Sequence, residues 1–308
     1  MYDIIILGGG AAGLAAAAYA QNKQLDVLVI AEQIGGKAGT RQHLPNQPGD
    51  EELLGADMVQ LLARRGAAHA AQLHDRVLGV SKLNGTFEVE TQRHGVQRAQ
   101  AVLVATGAAP LPLDVPGAQP LVNHGIGYSI TTHAQLLAGR TAAVIGTTRR
   151  ALRGAIELAK LDTQVYLIAP DAASMSSPLG QMLRHTPQVT VFEGYQINEI
   201  AGGANVEHIV IERDGEQSRL RVDAVFADLG LLPNSGVVRP IAQVDADGFL
   251  VVDEHCMTTL PGLFAAGDVT TAFAENILVA IGAGTRAAIS AHEYVLARTP
   301  TYAMEPAD

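Results

Sequence analysis

The first 32 residues constrain the fold most, because a buried strand, a glycine turn, a helix, a second strand and an acid follow one another directly. Residues 3–7 include three consecutive β-branched isoleucines and are nearly free of polar groups, which is typical of a strand buried on both faces. A glycine-rich turn follows at residues 8–13, and the alanine-rich residues 14–20 favour a helix. A second apolar run, residues 27–30, ends just before Glu32. The pattern predicts a Rossmann-type β-α-β unit.

Each conspicuous residue of this unit has a chemical reason to be there. Gly8 permits a tight turn, Gly10 leaves room for a pyrophosphate, and Gly13 allows close packing of helix on strand. The N–H groups and dipole of the helix N-terminus attract phosphate. Glu32 can accept hydrogen bonds from a ribose. Glycine turns also close corners that bind nothing, but the agreement of strand, helix and acid favours a dinucleotide site.

Composition narrows the class of protein. The length of 308 residues is enough for two domains. The net charge of −10, without a basic block, argues against nucleic acid and anionic membranes as partners. A single cysteine, Cys256, excludes an intramolecular disulfide, and the ten scattered histidines offer no metal-ligand spacing, so no metal is predicted. The N-terminus has no basic leader, so we expect neither a signal peptide nor a membrane span there. The expected location is the cytoplasm.

The rest of the chain predicts more α/β structure. Asn84-Gly85 predicts a hairpin, and the proline-rich residues 110–120 predict a linker. A second Rossmann-like unit should follow. Its predicted elements and the later ones are strand 141–145, helix 146–160, strands 164–168, 189–192, 206–212, 220–226, 249–252 and 262–268, and helix 276–296.

Several short motifs occur in one order across almost the whole chain. They are the turn at 8–13, Gly35-Gly36, Asn46 with Pro48-Gly49, Ala105-Thr106-Gly107, Gly230 with Pro233-Asn234, and residues 262–268. Together they resemble the low-molecular-weight thioredoxin reductases and their flavoprotein relatives. The resemblance implies a homodimer of two-domain α/β chains, with two Rossmann-like (three-layer, FAD/NAD(P)-binding) domains. It implies a discontinuous FAD domain, residues 1–114 and 245–308, around a domain at 115–244 that usually binds NADPH.

The resemblance also assigns roles in binding FAD. Gly8, Gly10 and Gly13 would hold the pyrophosphate and Glu32 the ribose. Asp268 would bind the ribityl chain or the pyrophosphate.

Further residues complete the implied FAD site. Val77 would contact the adenine through its backbone, and Asn276 and Ile277 would face the pyrimidine end of the flavin. The other residues assigned to the cofactor are Ala11, Ala12, Gly35, Gly36, Lys37, Asn46, Ala105, Thr106, Gly107 and Gly267.

The chain departs from thioredoxin reductases where their C-x-x-C pair should stand. Residues 125–128 lead into Ser129-Ile130-Thr131-Thr132, so Ser129 and Thr132 occupy the cysteine positions. Disulfide exchange needs a thiolate and a resolving thiol, which hydroxyl groups cannot replace. We therefore predict that the protein does not reduce thioredoxin by the family's route.

A second departure lies in the middle domain. Its expected glycine turn is Gly146-Thr147-Thr148, and the branched Cβ of Thr148 would obstruct a pyrophosphate. If either threonine needed a positive φ, the strain would be about 1–2 kcal/mol. Asp171 follows the next strand and would repel a 2′-phosphate. The sequence therefore predicts a degenerate site that does not use NADPH.

An alternative interpretation keeps a nicotinamide cofactor. Arg149 and Arg150 could hold phosphates at the helix start while Asp171 accepts a ribose 2′-OH, which would suit NADH. Solvated charge on a helix face explains the two arginines equally simply.

His133 follows the altered motif, where relatives usually carry an acid. We hypothesise that His133, Ser129, Thr132 and Tyr128 form a polar, flavin-facing catalytic patch that transfers protons. A partly exposed loop histidine is the alternative, and both remain open.

The resemblance and these departures together predict an FAD-dependent flavoprotein oxidoreductase without a redox dithiol. Its electron donor and acceptor would be a small redox protein or a small molecule. One alternative is an NAD(P)H-dependent flavin reductase or ferredoxin–NADP reductase-like enzyme. Another is a non-catalytic FAD-binding sensor or partner module.

Overall fold

The computed structural model describes residues 1–40, 43–44, 54–66, 70–271 and 275–298. The chain folds into two compact units. Unit 1 comprises residues 1–39, 55–109 and 232–308, and unit 2 comprises residues 40–54 and 110–231. The assignment of FAD to residues 1–114 and 245–308, around an NAD(P)H-binding-like domain at 115–244, stays a prediction.

Six α-helices and seventeen strands lie in the described part of the chain, besides short 3-10 and π-helical turns. The helices are α1 (Ala11–Asn22), α2 (Leu54–Leu61), α3 (Ile130–His133), α4 (Arg149–Ala159), α5 (Pro178–Arg184) and α6 (Ile277–Leu296). The strands are β1 (Tyr2–Gly9), β2 (Val27–Ile34), β3 (Ala71–Leu73), β4 (Val77–Leu83), β5 (Thr86–Thr91), β6 (Gly95–Val104), β7 (Ala108–Pro110), β8 (Ile126–Gly127), β9 (Thr141–Ile145), β10 (Gln164–Ala169), β11 (Val189–Glu193), β12 (Gln196–Gly202), β13 (Val206–Arg213), β14 (Glu216–Arg221), β15 (Ala224–Ala227), β16 (Leu231–Pro233) and β17 (Leu263–Ala265).

Unit 1 is built on a sheet with the order β3-β2-β1-β6-β5-β4, and β17 pairs with β6. The central strand β1 runs parallel to both β2 and β6. Its four apolar residues are fully buried because Ile4 and Ile6 enter the core under α1 and α6 while Ile5 and Leu7 enter the core on the other face. The predicted opening β-α-β unit is confirmed.

Helices α1 and α6 approach each other closely. A Cβ added to Gly284 of α6 would lie 2.1 Å from the carbonyl oxygen of Ala12 in α1. The alanine-rich faces of the two helices share one core. Gly267, in the segment that precedes α6, also approaches α1, because a Cβ added to it would lie 3.1 Å from the Cβ of Ala12.

The Asn84-Gly85 hairpin is also as predicted. Asn84 has a φ of 50° and Gly85 a φ of 82°, which a tight turn between β4 and β5 requires.

Unit 2 contains a parallel sheet with the order β11-β10-β9-β15-β8. Ala142 and Val144 of β9 pack into a core with α4, whereas Ala143 and Ile145 face a core that includes residues of the antiparallel sheet β12-β13-β14. Unit 2 therefore has three layers: helices, parallel sheet and antiparallel sheet. The predicted class, two Rossmann-like α/β units, is confirmed.

Four predicted element bounds are wrong. The predicted strand 262–268 is shorter in the structure, where β17 spans only Leu263–Ala265. Residues 220–226 do not form one strand: β14 ends at Arg221 and β15 begins at Ala224, and the two strands belong to different sheets. The intervening Asp223 exchanges hydrogen bonds with Thr141, because its N–H donates to the Thr141 carbonyl and its carboxylate accepts from the Thr141 N–H.

The other two corrections concern residues 249–252 and 146–160. Within 249–252, only Leu250 has strand pairing, through isolated bridges to Val244 and to Thr270. Helix α4 starts at Arg149 rather than at Gly146, because Thr148 caps it.

No helix in the described part of the chain combines the length and the apolar composition that crossing a membrane requires.

Candidate functional site

The β1–α1 corner in unit 1 depends on two glycines for its packing. Gly8 has a φ of 112°, and a Cβ there would lie 2.3 Å from the carbonyl oxygen of Ala105. A Cβ on Gly13 would lie 2.0 Å from the carbonyl oxygen of Gly8. Only glycine fits at either position, so these residues are needed to close the corner itself.

Gly10 is different, because protein packing does not require it. Gly10 is the N-cap of α1, with a φ of −83° that any residue can adopt, and it supplies no side-chain acceptor to the helix. A Cβ there would have only the Gly36 Cα within 4 Å, at a distance of 3.9 Å. The first-turn N–H groups therefore face a space that a Cβ would fill, and this cradle fits a pyrophosphate.

The loop after β2 forms the other side of this cradle. The N–H of Gly35 donates to the carbonyl of Gly9 over 2.8 Å. Gly36 has a φ of 56°, and a Cβ there would lie 3.0 Å from the Gly10 Cα. Two backbone segments thus lie against each other without side chains between them.

Glu32 borders a cavity of about 410 Å³, whose other lining residues are Gln33, Asp75, Arg76, Gln92 and Arg93. Nε of Arg76 lies 3.1 Å from Oε1 of Glu32, and both side chains are exposed. Val77 begins β4 directly after Arg76. The structure therefore brings the predicted ribose-binding acid and the predicted adenine contact to neighbouring positions.

The Ala105–Thr106–Gly107 segment is held by hydrogen bonds from two directions. The N–H of Ala105 donates to the carbonyl of Leu7 over 2.7 Å. The Thr106 hydroxyl donates to the Asn234 carbonyl over 2.8 Å, and the Asn234 side-chain amide donates to the Thr106 carbonyl over 2.9 Å. Asn234 N–H donates to the Gly107 carbonyl over 2.9 Å. Two motifs more than a hundred residues apart therefore form one loop pair.

Lys37 joins two acidic residues that precede α6. Its Nζ lies 2.9 Å from Oδ2 of Asp268 and also contacts the carboxylate of Glu275. Gly267 has a φ of 77°, and a Cβ there would lie 3.1 Å from the Cβ of Ala12. Asp268 therefore lies close to the first turn of α1, with a cation beside it.

Asn276 and Ile277 stand where α6 begins. The Asn276 side chain accepts a hydrogen bond of 2.9 Å from the N–H of Leu278 and so caps the helix. Ile277 packs against the core shared by α1 and α6. Asn46 lies outside the described residues. The other residues assigned to FAD all lie in unit 1.

In unit 2 the β9–α4 corner has the same outline but different chemistry. Gly146 has a φ of 117°, and a Cβ there would lie 2.2 Å from the carbonyl oxygen of Asp228. Thr148 has a φ of −58°, so it carries no left-handed strain. Its hydroxyl accepts a hydrogen bond of 3.0 Å from the N–H of Ala151. A threonine side chain thus caps the N-terminus of α4, whereas no side chain caps the N-terminus of α1 at Gly10 in unit 1.

Two charged residues of this corner, Arg150 and Asp228, are paired with each other. Arg150 donates to the carboxylate of Asp228 through Nε at 2.6 Å and through a second guanidinium nitrogen at 2.9 Å. The Asp228 side chain is 6% exposed. The neighbouring Arg149 is exposed.

Asp171 lies just after β10, whereas Glu32 is the first exposed residue of β2. The Asp171 carboxylate caps a local turn. One oxygen accepts from the N–H of Ala173 and the other from the hydroxyl of Ser174, both over 2.9 Å. These hydrogen bonds, led by the one from Ala173, lower the pKa of Asp171 from its usual value.

The residues of the hypothesised catalytic patch lie together around α3. The hydroxyls of Ser129 and Thr132 are 2.9 Å apart. Nδ1 of His133 lies 3.1 Å from the carbonyl oxygen of Ser129, and His133 is 5% exposed. Tyr128 is half-buried and packs against the hydrophobic core that includes Ile145. A partly exposed loop histidine, the alternative for His133, is therefore not what the structure shows.

Sequence reasoning missed four charged residues. Asp75, Arg76 and Glu275 surround the predicted FAD residues, and Asp228 pairs with Arg150. Their neighbours in sequence offered a partial signal, because Asp75-Arg76 directly precede Val77 and Glu275 precedes Asn276. Their partners lie far away along the chain.

Cys256 is buried, and burial raises the pKa of its thiol above the usual value. The chain has no second cysteine. Thiol chemistry of the C-x-x-C type is therefore absent from this sequence.

The family described as pyridine nucleotide-disulphide oxidoreductase matches residues 2–290. This chain belongs to that family. Pyridine nucleotide-disulphide oxidoreductases of this group are flavoproteins that bind FAD, so the predicted cofactor is confirmed for the family.

Two curated relatives are similar over most of this chain. A protein named NADH dehydrogenase from Bacillus subtilis is 30% identical over 311 residues, and an alkyl hydroperoxide reductase component from Staphylococcus aureus is 30% identical over 304 residues. Each alignment covers 96% of this chain and 59% of the relative. The chain thus spans less than two thirds of the length of these family members.

Solved structures of thioredoxin reductases have the same fold. The enzyme from Streptococcus pyogenes is 25% identical with a TM-score of 0.82, and the alignment covers 96% of this chain and 99% of that one. The enzyme from T. acidophilum is 26% identical with a TM-score of 0.68 and the same coverage. The predicted resemblance is confirmed, together with the missing C-x-x-C pair.

Proposed function

We propose that this protein is an FAD-dependent oxidoreductase that transfers electrons without a redox dithiol and without NADPH. The observation that carries the proposal is the contrast between two helix N-termini. Gly10 leaves the start of α1 open, whereas Thr148 caps α4 with its own hydroxyl. A phosphate group can replace water at the first position but must displace a bonded side chain at the second.

The residues of unit 1 are proposed to hold FAD as follows. Amides of the turn from Gly8 to Gly13 bind the pyrophosphate, and Glu32 binds the adenosine ribose. Asp268 binds the ribityl chain or pyrophosphate, and the Lys37 ammonium at 2.9 Å offsets its negative charge. The remaining residues of this proposed site are Ala11, Ala12, Gly35, Gly36, Asn46, Val77, Ala105, Thr106, Gly107, Gly267, Asn276 and Ile277.

Bound FAD supplies one- and two-electron redox chemistry, and the protein supplies its orientation and electrostatics. Asn276 fixes the first turn of α6, whose positive dipole end would stabilise negative charge at the pyrimidine end of the flavin.

Unit 2 supports the part of the proposal that concerns NADPH. Ligands of parallel α/β sheets bind at the carboxyl ends of strands where the strand order reverses. In unit 2 the strand order reverses between β9 and β15. The Arg150–Asp228 ion pair lies at this point, because Arg150 is in the helix that follows β9 and Asp228 directly follows β15. Asp171 would add repulsion toward a 2′-phosphate.

Proton handling is proposed for the patch of His133, Ser129, Thr132 and Tyr128. The imidazole is held by its Nδ1 contact with the Ser129 carbonyl, and an imidazole can transfer protons near neutral pH. If His133→Ala leaves flavin reduction and reoxidation unchanged across pH, this role is excluded.

The main experiment is an anaerobic titration of FAD-loaded protein followed by absorbance. We expect the flavin band to bleach with dithionite or with light, to remain with NADPH, and to return when an acceptor protein or oxygen is added. Bleaching by stoichiometric NADPH would contradict the proposal. A flavin that is never reoxidised by any partner would instead support a non-catalytic FAD-binding sensor or partner module.

A second candidate is an NADH-dependent reductase that needs no cysteine pair. Asp171 favours it, because a carboxylate after the second strand of a Rossmann unit suits a ribose 2′-OH. One relative is named NADH dehydrogenase, which agrees with this alternative. Rapid bleaching by NADH, but not by NADPH, would select it over the first proposal.

The proposed assembly is a homodimer, as is common among relatives of this group. The proposed partner is a small redox protein or a small organic molecule. A cytoplasmic location and the domain bounds 1–114, 115–244 and 245–308 stay predictions.

A further inference from the structure

Asp75 carries a buried carboxylate between β3 and β4, in a place to which the sequence motifs assign no role. Its side chain is 0% exposed. Oδ1 accepts from the N–H of Arg76 at 2.8 Å, and Oδ2 accepts from the N–H groups of Arg93 at 2.9 Å and His94 at 3.1 Å. The ring Nδ1 of His94 lies 2.7 Å from Oδ2. One carboxylate therefore joins the β3–β4 corner to the turn between β5 and β6.

These donors decide the charge of Asp75. Burial raises the pKa of its carboxyl group, but hydrogen bonds from His94, Arg93 and Arg76 outweigh burial and leave the pKa well below the usual range. The carboxylate is thus ionised at neutral pH. Charge-assisted hydrogen bonds of this kind hold their donors in one geometry.

The same carboxylate is connected to Glu32. The N–H of Asp75 donates over 3.2 Å to the carbonyl of Ala31, the residue that precedes Glu32 in β2. Nε of Arg76 contacts Glu32, yet these two side chains are 62% and 59% exposed. An exposed ion pair contributes little stabilisation, so the position of Arg76 must be fixed mainly by its backbone, which Asp75 holds.

Asp75 and residues bonded to it line the cavity that Glu32 borders. Arg76 and Arg93, both bonded to Asp75, form part of its lining beside Glu32. We propose that Asp75 is a positioning residue for the adenosine end of FAD: it fixes the corner that carries Arg76 and Val77, and the turn that carries Arg93, against Glu32. The proposal deepens the proposed function, since it rests on FAD binding at this edge of unit 1.

The test distinguishes binding of the adenosine end of FAD from binding of its flavin end. Protein freed of FAD is titrated with FAD and, in competition, with ADP, for the wild type and for Asp75→Asn. We expect the dissociation constants for FAD and for ADP to rise by the same factor, about tenfold or more. The absorption spectrum of the FAD-saturated variant should match that of the wild type, because the flavin end is untouched.

Asp245→Asn is the matched control. Oδ1 of Asp245 also accepts two backbone N–H groups in unit 1, from Asp247 at 3.0 Å and from Phe249 at 2.8 Å, but Asp245 does not line the cavity. This control should bind FAD and ADP as tightly as the wild type. An equal loss of affinity in both variants would overturn the proposal.

A merely structural role predicts another pattern: Asp75→Asn would lower the melting temperature of the FAD-free protein and leave the dissociation constant for ADP unchanged. That result would overturn the proposal.

If Asp75→Asn does not fold, Arg76→Gln is the deciding variant, because it leaves the Asp75 carboxylate in place and removes the contact to Glu32. We expect about threefold weaker ADP binding in Arg76→Gln, and wild-type affinity would overturn the proposal. Wild-type protein that binds neither FAD nor ADP would overturn the FAD site itself.

Discussion

Arg150 donates two hydrogen bonds, of 2.6 and 2.9 Å, to the carboxylate of Asp228. Arg150 lies in the first turn of α4 and Asp228 directly follows β15, so the pair joins two elements that border the same end of β9. In unit 1 the corresponding end of β1 has an open helix start instead. Two units of similar topology therefore present different surfaces to an anionic ligand.

The ion pair should stabilise the fold of unit 2. Arg150→Met would leave the Asp228 carboxylate, 6% exposed, without its two guanidinium hydrogen bonds. We expect the free energy of unfolding to fall by about 3 kcal/mol, measured by urea denaturation. Arg149→Met is the control, since Arg149 is exposed, and it should change stability by less than about 0.5 kcal/mol. Equal effects in both variants would contradict this prediction.

Gly10 and Gly13 should respond differently to alanine. Gly10→Ala places a Cβ in free space, so the stability of the FAD-free protein should change by less than about 1 kcal/mol. FAD affinity should nevertheless drop steeply, because the Cβ fills the cradle. Gly13→Ala forces a Cβ to within 2.0 Å of the Gly8 carbonyl oxygen and should destabilise the protein even without FAD. Thermal melting and FAD titration of both variants measure this difference, and an unchanged FAD affinity in Gly10→Ala would refute the cradle.

The hydroxyl pair of the altered motif should accept a disulfide. The oxygens of Ser129 and Thr132 are 2.9 Å apart, and a disulfide needs its sulfurs at about 2.05 Å. In the double variant Ser129→Cys/Thr132→Cys we expect mild oxidation to remove two thiols, as counted by thiol titration after denaturation. Each single variant should keep both of its thiols, including Cys256. Persistence of three thiols in the oxidised double variant would show that the loop does not bring the two positions together.

Lys37 should matter because it separates two carboxylates. Lys37→Met leaves Asp268 and Glu275 without the ammonium that contacts both. The site would then carry more negative charge toward an anionic cofactor, and we expect FAD to bind about tenfold more weakly. Fluorescence titration at low and high salt measures the loss, which should shrink as salt screens the repulsion. Lys23→Met, an exposed lysine in the same unit, serves as the control and should leave the affinity as it is.

Stability should depend on pH through Asp75. Its folded-state pKa is lower than the unfolded value of about 3.9, so protonation favours the unfolded chain. This contribution is fully present above about pH 5 and decreases as the pH falls further. We expect the wild type to lose more stability than Asp75→Asn between about pH 5 and pH 3, measured by urea denaturation at each pH. Parallel pH profiles for the two proteins would contradict this assignment.

The elements that sequence reasoning predicted well are those with a local signal. The opening β-α-β unit, the Asn84-Gly85 hairpin and the Asn276-capped α6 each depend on residues within a few positions of one another. Residues 220–226 were mispredicted for the opposite reason. Their apolar pattern is continuous, and nothing local shows that the chain changes sheets at Asp223.

The sequence by itself determined the Rossmann units, the glycine turns, the FAD-family motifs and the absence of a second thiol, because each depends on short-range geometry or on composition. Tertiary structure alone decided which charges meet: Arg150 with Asp228, Lys37 with Glu275, and Asp75 with the turn at Arg93. These partners lie 78, 238 and 18 residues apart. Electrostatic contacts act over a few ångströms of space rather than along the chain, so only folding reveals which charges remain available to a ligand.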